Sequence, residues 1–130
     1  MIQMSLPFHV IIEGNSVVIY ASRNGSPAKV LPTLQPFVQT FCQERELCGE
    51  YADTPECLTA QILVRFGFEI CEDDYSHLKV GTRYNPSVSY IYQVAINGKI
   101  NVWVPKPEYR ENPSLGLKAC YLWQPEPVSI

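Results

Sequence analysis

The sequence predicts an α+β domain with a largely antiparallel sheet of about five or six strands and two helices packed on one face. Two observations support this fold class. Segments with strand-like alternation and tight turn signals lie at both ends of the chain, and two segments with helical periodicity lie between them. Because strands and helices segregate in the order ββ-αα-ββββ, an antiparallel sheet is favoured over a parallel α/β fold.

Length and composition indicate one globular domain over residues 1–130, with 124–130 as a loop-like tail. The chain has 130 residues, of which 46% are hydrophobic and 18% charged, which is typical of folded rather than disordered proteins. No apolar run approaches the roughly 18 residues that a membrane span needs. The first residues lack the basic flank and apolar stretch of a signal peptide. We therefore expect a cytoplasmic protein without a membrane partner.

Residues 8–22 read FHVIIEGNSVVIYAS and predict a β-hairpin. Gly14 and Asn15 suit a two-residue turn because both residues tolerate positive φ. This turn pairs Val10 with Ile19 on a wholly apolar face, which predicts a core position. The other face is mixed and carries His9 opposite Tyr20.

Two amphipathic helices are predicted over 34–48 and 54–66. In the first, apolar residues recur with helical spacing after Thr33, a favourable N-cap, and Pro32 is expected to prevent an earlier start. The second opens with Thr54 and Pro55, and a proline is well tolerated at the first helical position.

Residues 90–105, YIYQVAINGKINVWVP, predict a second hairpin around Asn97 and Gly98. A two-residue turn places Ile96 opposite Lys99 and therefore Tyr92 opposite Trp103, on a face that Tyr90 shares. That face is unusual because it is aromatic while the opposite face is aliphatic. Tyrosine and tryptophan carry a polar atom and are enriched where a surface is covered only in a complex.

Three explanations for the aromatic face follow from the sequence. It is covered within the monomer by another layer or the last strand, by a second protein chain, or by a flat ligand or unpaired nucleic-acid strand. The favoured function is a small non-enzymatic module that self-associates, as a homodimer, or docks to a larger protein. The predicted binding residues are Tyr90, Tyr92, Lys99, Asn101 and Trp103.

The alternative from a different class is a small-ligand or enzymatic pocket between sheet and helices. Its candidate residues are His9, Tyr20, Cys71 and His77. Cys71 and His77 belong to the segment CEDDYSH, which reads either as a metal or nucleophile site or as an acidic turn between strands. The acidic turn is the preferred interpretation, and no cofactor or metal is predicted, because the sequence contains no established nucleotide or catalytic fingerprint.

The charge distribution bears on nucleic-acid binding, and the cysteine content bears on the redox state of the thiols. The net charge is −3, but nine acidic and two basic residues lie between Glu44 and Asp74, so this stretch carries −7 and the rest +4. Basic and aromatic residues alternate after residue 75, which is compatible with single-stranded nucleic acid as a minor alternative, although the charge is low for that role. The five cysteines are expected to be reduced and mostly buried.

Overall fold

The computed structural model describes residues 6–48, 54–69 and 78–125. Its elements, in chain order, are β1 (Phe8–Ile12), β2 (Val18–Ala21), α1 (Pro27–Cys48), α2 (Thr54–Glu69), β3 (Leu78–Gly81), β4 (Tyr90–Val94), β5 (Ile100–Pro105), α3 (Pro107–Glu111), a 3₁₀ segment (Pro113–Ala119) and β6 (Cys120–Leu122).

The strands form one six-stranded sheet in the order β3-β2-β1-β4-β5-β6. Strands β1 and β4 pair in parallel, and the other neighbours pair antiparallel. The parallel pair is possible because the chain between β1 and β4 is long enough to cross over the sheet, and it contains both long helices. The predicted α+β class with a largely antiparallel sheet is confirmed.

The first hairpin has the predicted register, with Phe8 opposite Ala21 and Val10 opposite Ile19. Its apolar face meets α1 and α2, as the pattern indicates. The main hydrophobic core lies between this side of the sheet, called the helix face below, and the two helices. Its buried members are Phe8, Val10, Ile12, Ile19, Ala21, Val30, Leu34, Val38, Cys42, Leu58, Ile62, Tyr92, Val94 and Val102.

Helix α1 starts earlier than predicted, at Pro27 instead of just after Thr33. Ser26 precedes the first turn and its carbonyl accepts the N–H groups of Lys29 and Val30, both at 2.9 Å. Pro32 and Pro36 lie inside the helix on its solvent-exposed side. Water can satisfy the carbonyls that lose a helical donor there, so neither proline ends the helix.

The later elements also differ in extent from the prediction. Helix α2 continues to Glu69 instead of ending at 66. After β5, the proline-rich stretch PKPEYRENP (105–113) predicts irregular chain, and LGLKACYLW (115–123) predicts a last strand. The structure instead forms α3, the 3₁₀ segment and only the short strand β6 there. None of the helices described is both long enough and apolar enough to cross a bilayer.

The other side of the sheet, called the loop face, is covered by shorter segments. Residues 82–89, α3 and the 3₁₀ segment pack over it and enclose a smaller buried cluster. Its members are Val88, Ile91, Tyr109, Ala119 and Cys120, with Ile11, Tyr20, Tyr84, Trp103 and Leu117 partly buried around them.

Candidate functional site

The β4–β5 hairpin does not have the predicted register. The N–H of Ala95 donates to the carbonyl of Lys99, and the N–H of Gly98 donates to the carbonyl of Ala95, both at 2.9 Å. The loop therefore holds three residues, ending in Gly98 at a φ of 92°. This geometry is a tight turn followed by a glycine bulge, which the dipeptide Asn-Gly also suits. The prediction that Ile96 faces Lys99 is wrong by one residue.

This shift separates the aromatic residues that were predicted to share a face. Tyr92 pairs with Val102, and Trp103 pairs with Ile91. Because alternate side chains point to opposite sides of a sheet, Tyr90 and Tyr92 lie on the helix face and Trp103 on the loop face. The predicted Tyr90/Tyr92/Trp103 surface is not formed.

Tyr92 is sealed within the subunit. It is 0% exposed, its hydroxyl donates to the carbonyl of Gly25 at 2.6 Å, and its ring meets Phe8 edge to face. Burial, followed by the nearby Tyr90, raises the pKa of its hydroxyl well above the usual range. An undisturbed subunit therefore cannot present Tyr92 to a partner.

The other predicted binding residues remain at least partly accessible. Tyr90 is half-buried at the border of the main core, and Lys99 is exposed in the hairpin loop. Asn101 and Trp103 are half-buried on the loop face, where the Trp103 indole N–H donates to Oε1 of Gln93 at 3.0 Å. They do not converge on one site, so their role in binding stays a prediction.

Strand β6 combines exposed apolar side chains with open backbone groups. Tyr121 is 52% exposed and Leu122 42% exposed. Tyr121 pairs with Val104 on the helix face, and Leu122 pairs with Trp103 on the loop face. The edge is therefore apolar on both of its sides.

Two hydrogen bonds show which way the backbone groups of β6 point. One joins the residue directly after β6 to β5, and the other joins the residue directly before β6 to the residue directly after β5. The carbonyl of Ala119 accepts from Lys106 at 2.9 Å, and the N–H of Trp123 donates to Val102 at 2.8 Å. Since peptide groups alternate along a strand, the N–H and carbonyl of Leu122 and the carbonyl of Cys120 point away from β5. The Cys120 N–H is already used, because it donates to Leu117.

The opposite edge of the sheet, β3, has a different character. Its four residues include Lys79 and Gly81, and Val80 is the large apolar residue exposed there, at 58%. A lysine on an edge strand discourages pairing with another chain. Strand β6 contains no charged residue. The β3 edge is thus better protected than the β6 edge against pairing with another chain.

His9 and Tyr20 lie on the loop face, not between sheet and helices as the pocket hypothesis expected. Nε2 of His9 accepts the N–H of Asn85 at 2.8 Å, so Nδ1 carries the proton and donates to the carbonyl of Ile19 at 3.0 Å. Burial lowers the pKa of His9, outweighing the hydrogen bond to Ile19. His9 is therefore a neutral residue with both ring nitrogens engaged. Cys71 and His77 lie outside the described residues.

Two of the described thiols, Cys42 and Cys120, are poorly suited to nucleophilic chemistry. Burial raises the pKa of Cys42, and burial raises that of Cys120 to about 11 despite the nearby Lys106. The Cys120 thiol lies 3.6 Å from the Gly116 carbonyl, to which it donates. A reactive cysteine needs a lowered pKa. Among the described residues, no group of three or more metal-ligating side chains comes together.

Comparisons with protein-family models, with curated protein sequences and with solved structures found no match for this chain. Sequence reasoning placed Tyr121 and Leu122 on a strand but had no signal that this strand forms an edge, because strand order is a property of the assembled sheet.

Proposed function

We propose that this domain is a small non-enzymatic interaction module that self-associates by pairing β6 with β6 of a second copy. The observation that carries the proposal is an uncharged edge strand with outward backbone groups and exposed apolar side chains on both of its sides. The engaged nitrogens of His9 and the raised pKa values of Cys42 and Cys120 support a non-enzymatic role. The three described thiols, Cys42, Cys57 and Cys120, support a cytoplasmic setting.

An antiparallel pairing about a two-fold axis at Tyr121 satisfies the Leu122 N–H and the Cys120 carbonyl and leaves the Leu122 carbonyl to water. It sets Tyr121 opposite its own copy and Cys120 opposite Leu122. The N–H of each Leu122 then donates to the Cys120 carbonyl of the second copy, and the occupied Cys120 N–H is not needed. Tyr121 becomes a non-hydrogen-bonded pair, in which side chains approach closely and aromatic pairs are favourable.

Flanking residues enlarge the contact beyond the strand. Trp123 packs against the main core from its border, and Trp103 lies beside Leu122 on the loop face. Since β6 has only three residues, the interface is at the small end of specific interfaces, and we expect a dissociation constant on the order of micromolar.

Sedimentation velocity from about 1 to about 200 µM protein tests the proposal. We expect a monomer–dimer equilibrium for the wild type and a monomer throughout for Tyr121→Asp, because the two carboxylates would face each other across the axis. Val80→Asp is the matched control: it adds the same charge at a similarly exposed position on the helix face of the opposite edge. It should leave the equilibrium unchanged.

Leu122→Pro tests the backbone contribution. Among the backbone donors and acceptors of β6, proline removes only the outward Leu122 N–H, so the intramolecular ladder is retained and proline is tolerated on an edge strand. We expect loss of the dimer with a thermal midpoint close to that of the wild type. A wild type that stays monomeric at the highest concentration, or a dimer that is lost in Val80→Asp but kept in Tyr121→Asp, would refute the proposal.

A further inference from the structure

A pocket of about 140 Å³ lies on the loop face beside the β3 edge. Strands β2 and β3 and the start of segment 82–89 form it. Its lining residues are His9, Val18, Tyr20, Lys79, Val80, Gly81, Arg83 and Asn85. It is distinct from β6, which forms the opposite edge of the sheet.

The side-chain polar groups that remain available in this pocket can all donate hydrogen bonds. Both nitrogens of His9 are engaged. The Oδ1 of Asn85 accepts the backbone N–H of Ser87 at 2.8 Å and its hydroxyl at 2.6 Å, so the amide NH₂ of Asn85 is the group left to offer. Tyr20 adds a hydroxyl, and Lys79 and Arg83 add two cations.

Lys79 and Arg83 are the two cations that line this pocket. The Lys79 ammonium lies 5.1 Å from the centre of the Tyr20 ring, a cation–π contact that limits its freedom. Arg83 is exposed at the pocket rim. Within the part of the chain that the structure describes, no carboxylate forms a salt bridge with Lys79 or Arg83.

We infer that this pocket binds a phosphate group, as inorganic phosphate or a phosphomonoester. A phosphate dianion offers several acceptor oxygens to the donors and balances the two positive charges. The planar guanidinium of Arg83 matches two phosphate oxygens, while Lys79 acts as a point charge. The volume suits one phosphoryl group with few additional atoms, so a single group rather than a polymer is recognised.

The test is a titration of the ¹⁵N-labelled full chain with inorganic phosphate, following the amide signals of Gly81, Arg83 and Asn85 by NMR at constant ionic strength. We expect saturable shifts confined to these residues and their neighbours, with a dissociation constant on the order of millimolar for this minimal probe. A capped phosphoserine that binds more tightly than phosphate would identify a phosphorylated side chain as the source. Equal binding would identify free phosphate.

Lys79→Gln and Arg83→Gln should each weaken phosphate binding about tenfold, since each removes a charge-assisted contact. Both side chains are exposed, so the fold is expected to tolerate the changes. Lys29→Gln removes the same charge from the exposed side of α1 and should leave the dissociation constant unchanged. Identical shifts with sodium chloride, or equal weakening by Lys29→Gln, would overturn the inference.

Discussion

The two faces of the sheet are closed in different ways. The helix face is covered by two long helices, which bury a continuous core that includes Tyr92. The loop face is covered by residues 82–89, α3 and the 3₁₀ segment, which leave Trp103 half-buried and a pocket beside Tyr20. Regular elements present a wide apolar stripe, whereas short irregular segments close a surface only where individual side chains meet. In this domain, space for binding lies on the loop face and at the edges, and also in a pocket of about 300 Å³ between α1, Thr54 and the β4–β5 loop.

The largest expected effect concerns a backbone contact that closes the helix face. Gly25 donates its N–H to Leu6 at 2.9 Å, and a Cβ added there would overlap the Leu6 carbonyl and the Phe8 ring. Gly25→Ala should therefore lower the free energy of unfolding by about 3 kcal/mol or more, measured by urea denaturation.

Gly81→Ala is the matched control for that change. A Cβ at Gly81 on the β3 edge meets nothing within 4 Å. We expect the free energy of unfolding to change by no more than about 0.5 kcal/mol. Similar losses in both variants would mean that the region around Gly25 and Phe8 is as loosely packed as the edge.

A pair of tyrosine substitutions compares the two faces directly. Tyr92 donates to Gly25 at 2.6 Å in the main core, and Tyr109 donates to Asn85 at 2.7 Å on the loop face. Tyr92→Phe leaves a buried carbonyl without its donor and should cost about 1–2 kcal/mol. Water can replace the hydroxyl more readily on the loop face, so Tyr109→Phe should cost less, about 0.5–1 kcal/mol. A larger loss for Tyr109→Phe in urea denaturation would contradict the contrast between the faces.

The smallest expected effect is a pH dependence of the free energy of unfolding, caused by His9 on the loop face. The pKa of His9 is lowered from 6.5 because burial disfavours the charged ring. The folded state therefore binds this proton less readily than the unfolded state. The stability that neutral His9 supports is complete above pH 6.5 and is lost as pH falls from there through the lowered pKa.

His9→Gln should reduce that pH dependence. We expect the free energy of unfolding to decline less steeply in the variant than in the wild type between about pH 7 and about pH 5, measured by urea denaturation. His77 is retained in both proteins, so the difference between the two slopes reports His9. Equal slopes would show that His9 does not resist protonation in the fold.

The contrast between the two hairpins shows how far local sequence can predict pairing. At β1–β2 the predicted register is formed, although the turn hydrogen bond runs from the Asn15 N–H to the Ile12 carbonyl and only Gly14 of the predicted turn pair has a positive φ. At β4–β5, Asn97 and Gly98 suit both a two-residue turn and a three-residue loop, and the longer loop is formed. One residue of loop length reverses which face each side chain occupies, so the predicted site failed although both strands were predicted.

The prediction for α1 failed for a related reason. A proline in a helix is disfavoured locally, but Pro32 and Pro36 occupy the exposed side of a helix whose other side holds Val30, Leu34 and Val38 in the core. Tertiary burial outweighs the lost hydrogen bonds. The contact between Gly25 and Tyr92 had no sequence signal, because the two residues are distant along the chain and meet only after the sheet and α1 assemble.

Hydrophobic periodicity and turn residues by themselves determined the α+β class, the first hairpin with its core side, and the existence of both long helices, because these features depend on neighbours within a few residues. The tertiary structure decided the strand order and the exposure of β6. It also decided that Tyr92 lies on the helix face, whereas Trp103, His9 and Tyr20 lie on the loop face. Those outcomes depend on contacts between residues far apart in the chain, whose free energy no local pattern contains.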